Sequence, residues 1–272
     1  MKTPLAELDM RSAASVDEAL MMLGEESRTP VAGATDVYVG LNFGTFAPRR
    51  FLDIWALDEL RNISVHEDSL VIGALVSYTA LIQSRLVGER VPMLVEASKV
   101  VGGVQIQNRG TLGGNIANGS PAADGVPVVS AVDAIVVLRS VGEERRVPIN
   151  AFYTGYRASV MKPNELIVAI EIPEVEGTQW FRKVGTRAAQ AISKIVMAGV
   201  RSSSPRVALG SVGPTIIRAY ETEAALASGA GIDEAAEILG REITPIDDVR
   251  STADYRRQVS MNLLKRFWAE TS

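Results

Sequence analysis

Apolar and polar positions along the chain group into runs that predict short strands and amphipathic helices in turn. Ser15-Val16-Asp17-Glu18 has capping-box spacing, and Ala19, Leu20, Met22 and Leu23 follow it as far as Gly24, which predicts a short amphipathic helix. Pro30-Val31-Ala32-Gly33 predicts a strand running into a turn, with helical residues from about Asp36, and Arg50 to Ile54 predicts another strand. Asn62 to Gly73 reads as a hairpin, because two β-rich runs meet at a polar turn. Ser77 is placed to cap a helix through Leu86, and Val91 to Val100 continues as a second. The Gly- and Asn-rich stretch from Gly102 to Asp124 reads as a loop. It is far longer than the usual connection of about 4–6 residues, which makes it a candidate functional loop. A hairpin (Ala134 to Leu138 with Arg145 to Pro148) and a strand from Glu165 to Ile172, closed by Pro173, complete this part.

The composition changes at Pro173-Glu174-Val175-Glu176-Gly177-Thr178, which reads as a linker. Strand-like runs follow (Trp180 to Val184, Ile192 to Val200, Arg206 to Ser211), then helical ones (Ala219 to Ser228, Glu234 to Leu239, Ala253 to Ala269). Strands followed by helices predict a separate α+β domain. There is no internal repeat and no low-complexity tract.

Composition narrows the chemistry. The 272 residues are 47% hydrophobic and 22% charged, which is ordinary for a folded protein of more than one domain. No run approaches the ~20 apolar residues of a membrane span, and the opening Met1-Lys2-Thr3-Pro4 lacks a leader's apolar run, so a cytoplasmic protein is expected. A net charge of −4 argues against a nucleic-acid groove. The Arg256-Arg257 and Lys265-Arg266 pairs read as the solvated side of a helix. There is no Cys, so this chain supplies no thiolate to a zinc or iron–sulfur centre. Its one His, His66, sits in a predicted hairpin turn, which argues against Ser–His or Cys–His catalysis. No catalytic residue and no metal ligand is predicted; any redox group must be brought in.

Two stretches carry the chemistry. In Val31-Ala32-Gly33-Ala34-Thr35-Asp36, small side chains and a Gly would let consecutive N–H groups converge on a diphosphate. Thr35 adds a hydroxyl, and Asp36 could brace the loop. The same residues would also make an ordinary strand-to-helix turn capped by Asp36. The G-x-G-x-x-G spacing of the Rossmann fingerprint is absent. The second stretch is Thr111-Leu112-Gly113-Gly114-Asn115-Ile116-Ala117-Asn118-Gly119-Ser120-Pro121-Ala122-Ala123-Asp124. Its glycines permit close backbone approach, its Asn side chains donate and accept, and Asp124 could accept from ligand hydroxyls or cap a helix. A tight turn is the alternative.

The second stretch, with its approach Gln105-Ile106-Gln107-Asn108-Arg109-Gly110, is similar almost letter for letter to the hallmark of a known family. That family is the FAD-binding medium subunits of molybdenum hydroxylases, which includes xanthine and carbon monoxide dehydrogenases. The first stretch resembles its A-G-G-T-D motif, with Ala34 in place of the second Gly, a departure that matters only if φ there must be positive. Gly155-Tyr156-Arg157, Glu165 to Pro173, Phe181-Arg182-Lys183-Val184-Gly185 and Gly210 to Thr215 match as well, so the resemblance covers nearly the whole chain.

The resemblance implies an α+β fold: a two-lobed FAD-binding domain of the vanillyl-alcohol-oxidase-like type over residues 1–173 (small lobe about 1–56, larger lobe about 57–173). A compact α+β domain over 178–272 follows. It implies non-covalent FAD lying extended between lobes, with Ala32, Gly33, Ala34, Thr35 and Asp36 on the diphosphate together with Thr111, Gly114 and Asn115. Asp124 would meet the adenosine or sugar region, Ile167 would pack near the cofactor and Lys183 would hold the flavin end. Strand core and a solvated charge are the alternatives for Ile167 and Lys183. The molybdenum cofactor and 2Fe–2S clusters are expected on a large and a small partner subunit, in an α₂β₂γ₂-like assembly. An external acceptor takes the electrons, and neither nucleic acid nor membrane insertion is expected. A self-sufficient flavoprotein and a cofactor-free scaffold are the rival readings.

Overall fold

The computed structural model describes residues 4–272. Over them strands and helices build three principal sheets, each with its own helices, in the α+β arrangement expected. The first sheet is formed by β1 (Asp9–Ser12), β2 (Thr29–Val31) and β3 (Arg50–Asp53) in the order β1-β3-β2, all parallel. Its connections carry α1 (Val16–Glu25) and α2 (Val37–Phe43). The expected cap forms in a shifted version: Ser15 Oγ accepts from Glu18 N–H at 3.1 Å, and the Glu18 carboxylate reaches back one residue beyond the N-cap, to the N–H of Ala14 at 2.6 Å. α1 buries Val16, Ala19, Leu20 and Leu23 in a core shared with Leu52 and Ile54 of this lobe and Val137 and Leu166 of the next.

The second sheet is antiparallel. It contains β4 (Ile63–His66), β5 (Ser69–Gly73), β6 (Ile135–Ser140), β7 (Glu143–Pro148) and, at its centre, β10 (Leu166–Ile172), in the order β4-β5-β10-β6-β7. Glu67 takes a positive φ of 52° in the β4–β5 turn, and His66 is exposed beside it. A short ribbon, β8 (Tyr153–Gly155) and β9 (Ala158–Ser159), lies between β7 and β10.

Six helices join β5 to β6: α3 (Tyr78–Gln83), α4 (Arg85–Arg90), α5 (Pro92–Lys99), α6 (Val104–Arg109), α7 (Leu112–Asn118) and α8 (Val126–Ala131). The helix expected over 77–86 is two helices, because the Ser84 hydroxyl accepts from Val87 N–H and starts a new one. The 102–124 stretch is not a loop. α6 and α7 occupy most of it, and α7 is capped by the Thr111 hydroxyl, which accepts from Gly114 N–H at 3.0 Å. A Cβ on Gly113 would fall 2.6 Å from Ala74 O, so a glycine that reads as a turn residue is needed for helix packing.

β11 (Thr178–Val184), β12 (Ile195–Arg201), β13 (Arg206–Gly210) and β14 (Ile217–Arg218) form the third, antiparallel sheet in chain order. α9 (Tyr220–Ala227), α10 (Ile232–Glu242) and α11 (Ala253–Glu270) follow, as the strands-then-helices pattern predicts. Phe267 and Leu264 of α11 and Leu239 of α10 pack with Ile195, Met197 and Leu209 of the sheet, while α8 lies against β12 and β13 from the preceding domain. Arg256 corrects its reading as a solvated charge. It is 3% exposed, and its guanidinium donates to Lys194 O, Ser211 O and the Asp248 carboxylate. Its two terminal nitrogens find the acceptors that a buried guanidinium needs, while Nε has none among the described residues.

Candidate functional site

β2 ends at Val31, and the chain turns through Ala32 to Asp36 before α2 begins. Gly33 is pressed against the end of α6: a Cβ on it would fall 1.6 Å from Arg109 O and 2.4 Å from the same carbonyl carbon. Gly110 belongs to this junction too, since a Cβ there would lie 3.7 Å from Thr35 Oγ1. The first stretch therefore meets the approach to the second, across the boundary between the lobes. Among the described residues, the backbone N–H groups of Gly33, Ala34, Thr35 and Asp36 donate to no protein acceptor. Consecutive amides without protein partners can form a cradle suited to an anion.

Ala34 has a φ of 61°. The Gly-to-Ala departure thus falls at a position where the backbone is left-handed, a conformation that costs an L-residue about 1–2 kcal/mol. Allowing for the greater chain entropy of glycine when unfolded, Ala34→Gly should raise stability by about 1 kcal/mol, or roughly 2–4 °C in Tm. Thermal melts of the two proteins check this, and an unchanged or lowered Tm would show that the conformation is not a strained one.

Asp36 does not cap α2; its side chain makes no capping bond. Its carboxylate lies 3.6 Å from the guanidinium of Arg157, which also donates to Asn118 Oδ1 at 2.8 Å.

The second stretch offers side chains more than amides. Gly113 N–H donates to Ala74 O, Gly114 N–H to Thr111 Oγ1 and Asn115 N–H to Thr111 O, so Thr111 and Gly114 satisfy one another in the cap. The free amides therefore belong to the first stretch. Asn115 remains available. Its Oδ1 accepts from the buried Tyr78 hydroxyl at 2.7 Å, and its Nδ2 donates to no protein group among the described residues.

Asp124 and Lys183, set at opposite ends of the ligand by the resemblance, are one ion pair at 2.6 Å with both side chains 9% exposed. Lys183 Nζ also donates to Val100 O at 2.9 Å, and Ser193 Oγ lies 3.2 Å from Asp124 Oδ1. Burial pushes the Asp124 carboxyl up to about 6, against the opposing pull of Lys183 and the Ser193 hydroxyl. A cleft of about 130 Å³ opens beside Lys183, lined by Val100, Gly185, Arg187, Gln190 and Ala191. Ile167 is 4% exposed in the core of β10, as the strand-core alternative describes. Tyr78, Arg157 and Ser193 join the site without having been singled out for it. Of these only Arg157 left a trace in the sequence, inside a short matching motif.

Residues 6–175 match the family described as the FAD binding domain in molybdopterin dehydrogenase, and residues 177–271 match the CO dehydrogenase flavoprotein C-terminal domain. The chain belongs to this family of FAD-binding subunits. Among relatives, it is 32% identical to the carbon monoxide dehydrogenase medium chain of Hydrogenophaga pseudoflava, over 93% of this chain and 92% of that one. It is 30% identical to the xanthine dehydrogenase FAD-binding subunit of Escherichia coli O157:H7, over 95% and 94%. Among solved structures, a chain of carbon monoxide dehydrogenase from Hydrogenophaga pseudoflava superposes with a TM-score of 0.92 at 30% identity, covering 100% of both chains. The protein is thus an oxidoreductase subunit, of the medium FAD-binding class found in molybdenum hydroxylases. The free amides beside Gly33 fit the diphosphate of that cofactor.

Proposed function

We propose that this chain holds one FAD non-covalently in the cleft between its lobes. It takes electrons from 2Fe–2S clusters on a small partner subunit and passes them to an external acceptor. A large partner subunit carries the molybdenum cofactor and the substrate. The observation that supports the reading most directly is the run of amides from Gly33 to Asp36 without protein partners, beside a contact with Arg109 O that only glycine allows. Bound flavin would supply the junction between single-electron donors and a two-electron acceptor. The chain's own residues bind and orient it. Ala32 to Asp36 and Asn115 hold the diphosphate, Thr111 and Gly114 fix the helix that presents Asn115, and the Asp124–Lys183 pair, with Ile167 in the strand beneath α7, shapes the remainder. The absence of Cys places the clusters on another chain. The exposed, solitary His66 leaves substrate chemistry to another chain as well. No helix among the described residues is long and apolar enough to cross a membrane.

The purified full chain should carry about one FAD, released intact on denaturation. It should show no turnover of organic substrates until co-expressed partners assemble with it. A colourless, nucleotide-free protein, or one that oxidises a substrate alone, would favour the scaffold or the self-sufficient enzyme instead.

A further inference from the structure

The first stretch carries a charge that does not suit its task. A diphosphate is anionic, yet Asp36, the last residue of the amide cradle, brings a carboxylate that is half-exposed and makes no capping bond to satisfy it locally. Uncompensated, it would repel the ligand the amides attract. Arg109 is close in sequence space to the junction, but its guanidinium is turned away to lie 3.9 Å from the centre of the Trp55 ring. Among the described residues, the one cation paired with Asp36 is Arg157, at 3.6 Å.

Arg157 reaches that position from the other lobe by an unusual route. It sits in the turn between β8 and β9 with a φ of 51°, left-handed backbone that a bulky residue adopts only when its surroundings impose it. Gly119, which ends α7 with a φ of 59°, lies beneath it, and a Cβ there would come within 3.3 Å of Arg157 Cα. The guanidinium then binds Asn118 Oδ1 at 2.8 Å, on the helix that follows the Thr111 cap. One side chain thus joins the carboxylate of the first stretch to the helix of the second.

We infer that Arg157 is a positioning residue for FAD: it neutralises Asp36 beside the diphosphate and ties the two stretches together across the cleft. The inference rests on the FAD reading above. Its role is on charge more than on direct ligation, and this gives it a signature that a merely structural residue would lack.

The test uses the full chain stripped of flavin, with binding of FAD, ADP and adenosine measured by fluorescence and calorimetry. Arg157→Ala should weaken FAD and ADP binding about ten-fold, and adenosine, which has no phosphate, by less than about two-fold. Adding Asp36→Asn to Arg157→Ala should restore FAD and ADP to within about three-fold of wild type, because the charge that needed compensation is gone. The Arg157→Ala penalty should also shrink as salt is raised, since the pair is exposed. If Arg157→Ala fails to fold, Arg157→Gln, uncharged but able to keep the bond to Asn118, replaces it in the same comparison.

Unchanged binding in the Arg157 variant overturns the inference, as does a loss that Asp36→Asn does not rescue; the latter would make Arg157 a direct ligand or a purely structural clamp. A wild-type chain that binds neither FAD nor ADP would instead overturn the FAD reading itself.

Discussion

Replacing Gly33 with Val will displace the first stretch from the end of α6 and weaken FAD binding by up to about two orders of magnitude. The reason is steric and backbone-to-backbone. The space a Cβ would occupy is 1.6 Å from Arg109 O, and carbonyl oxygens in that position have no rotamer by which to withdraw. Either the first stretch or the end of α6 must move by more than an ångström. Both belong to the junction at which the first stretch meets the approach to the second, so the amide cradle would be displaced from it. Overpacking of this kind costs about 1–3 kcal/mol when the structure yields, and about 3 kcal/mol corresponds to roughly a hundred-fold in affinity. Gly33→Ala should do the same to a smaller extent. Flavin content on purification and the Kd of the stripped protein for FAD report the effect, and the circular dichroism spectrum separates a displaced loop from an unfolded chain. Wild-type affinity in Gly33→Val would show that the contact with Arg109 does not set the cleft.

The second large effect concerns Asp124. Its carboxyl is raised to about 6 from 3.8, chiefly by burial, so the native state holds a proton there over a range in which the unfolded chain has lost it. Stability from this group is therefore highest below about pH 4, falls as pH rises towards 6, and is level above. The rise from 3.8 to about 6 corresponds to about 3 kcal/mol. Several other carboxyls, Asp9, Glu165, Asp248 and Glu270, are lowered by their partners and work in the opposite direction at more acidic pH. The contrast between wild type and Asp124→Asn removes them. Urea midpoints of the two stripped proteins between pH 4 and 7 should show the variant gaining on wild type by up to about 3 kcal/mol as pH rises. A constant difference across that window would mean that Asp124 titrates as a solvent-exposed carboxyl does.

The sequence disclosed the fold wherever periodicity and capping agreed. Ser15 to Leu23, the β4–β5 hairpin and the three C-terminal helices each follow a local pattern that tertiary contacts only reinforce. It misled where small residues serve packing. Gly113 and Asn115 have turn-like propensities, yet a short helix forms there because Thr111 caps it and Ala74 leaves no room for a side chain. β1, a four-residue strand with every position exposed, has no apolar signature and was invisible. Within the site, the contact of Gly33 with Arg109 and the positive φ of Ala34 were legible as possibilities, because small residues in a run ask for a backbone reason. The pairing of Asp124 with Lys183 and of Asp36 with Arg157 was not, since each joins residues distant in sequence and nothing local to either partner encodes the other. The buried Arg256 belongs with these: its helix looks amphipathic with a charged face, and only the acceptors just before β12 (Lys194 O), just after β13 (Ser211 O) and in the loop before α11 (Asp248) turn that charge inward.

That inward arginine reaches further than its own helix. Arg256 fixes Ser211 O at 2.6 Å, Ser211 Oγ donates to Ser193 O at 3.1 Å, and Ser193 Oγ meets Asp124, while Ser211 N–H holds Pro121 O at 2.7 Å. A relay of four residues thus runs from the first turn of α11 to the carboxylate at the end of the second stretch. The C-terminal domain is consequently more than an appended module. It furnishes both Lys183 and Ser193 to Asp124, so the N-terminal half, severed at the linker, would keep its amides yet leave that buried acid without its cation.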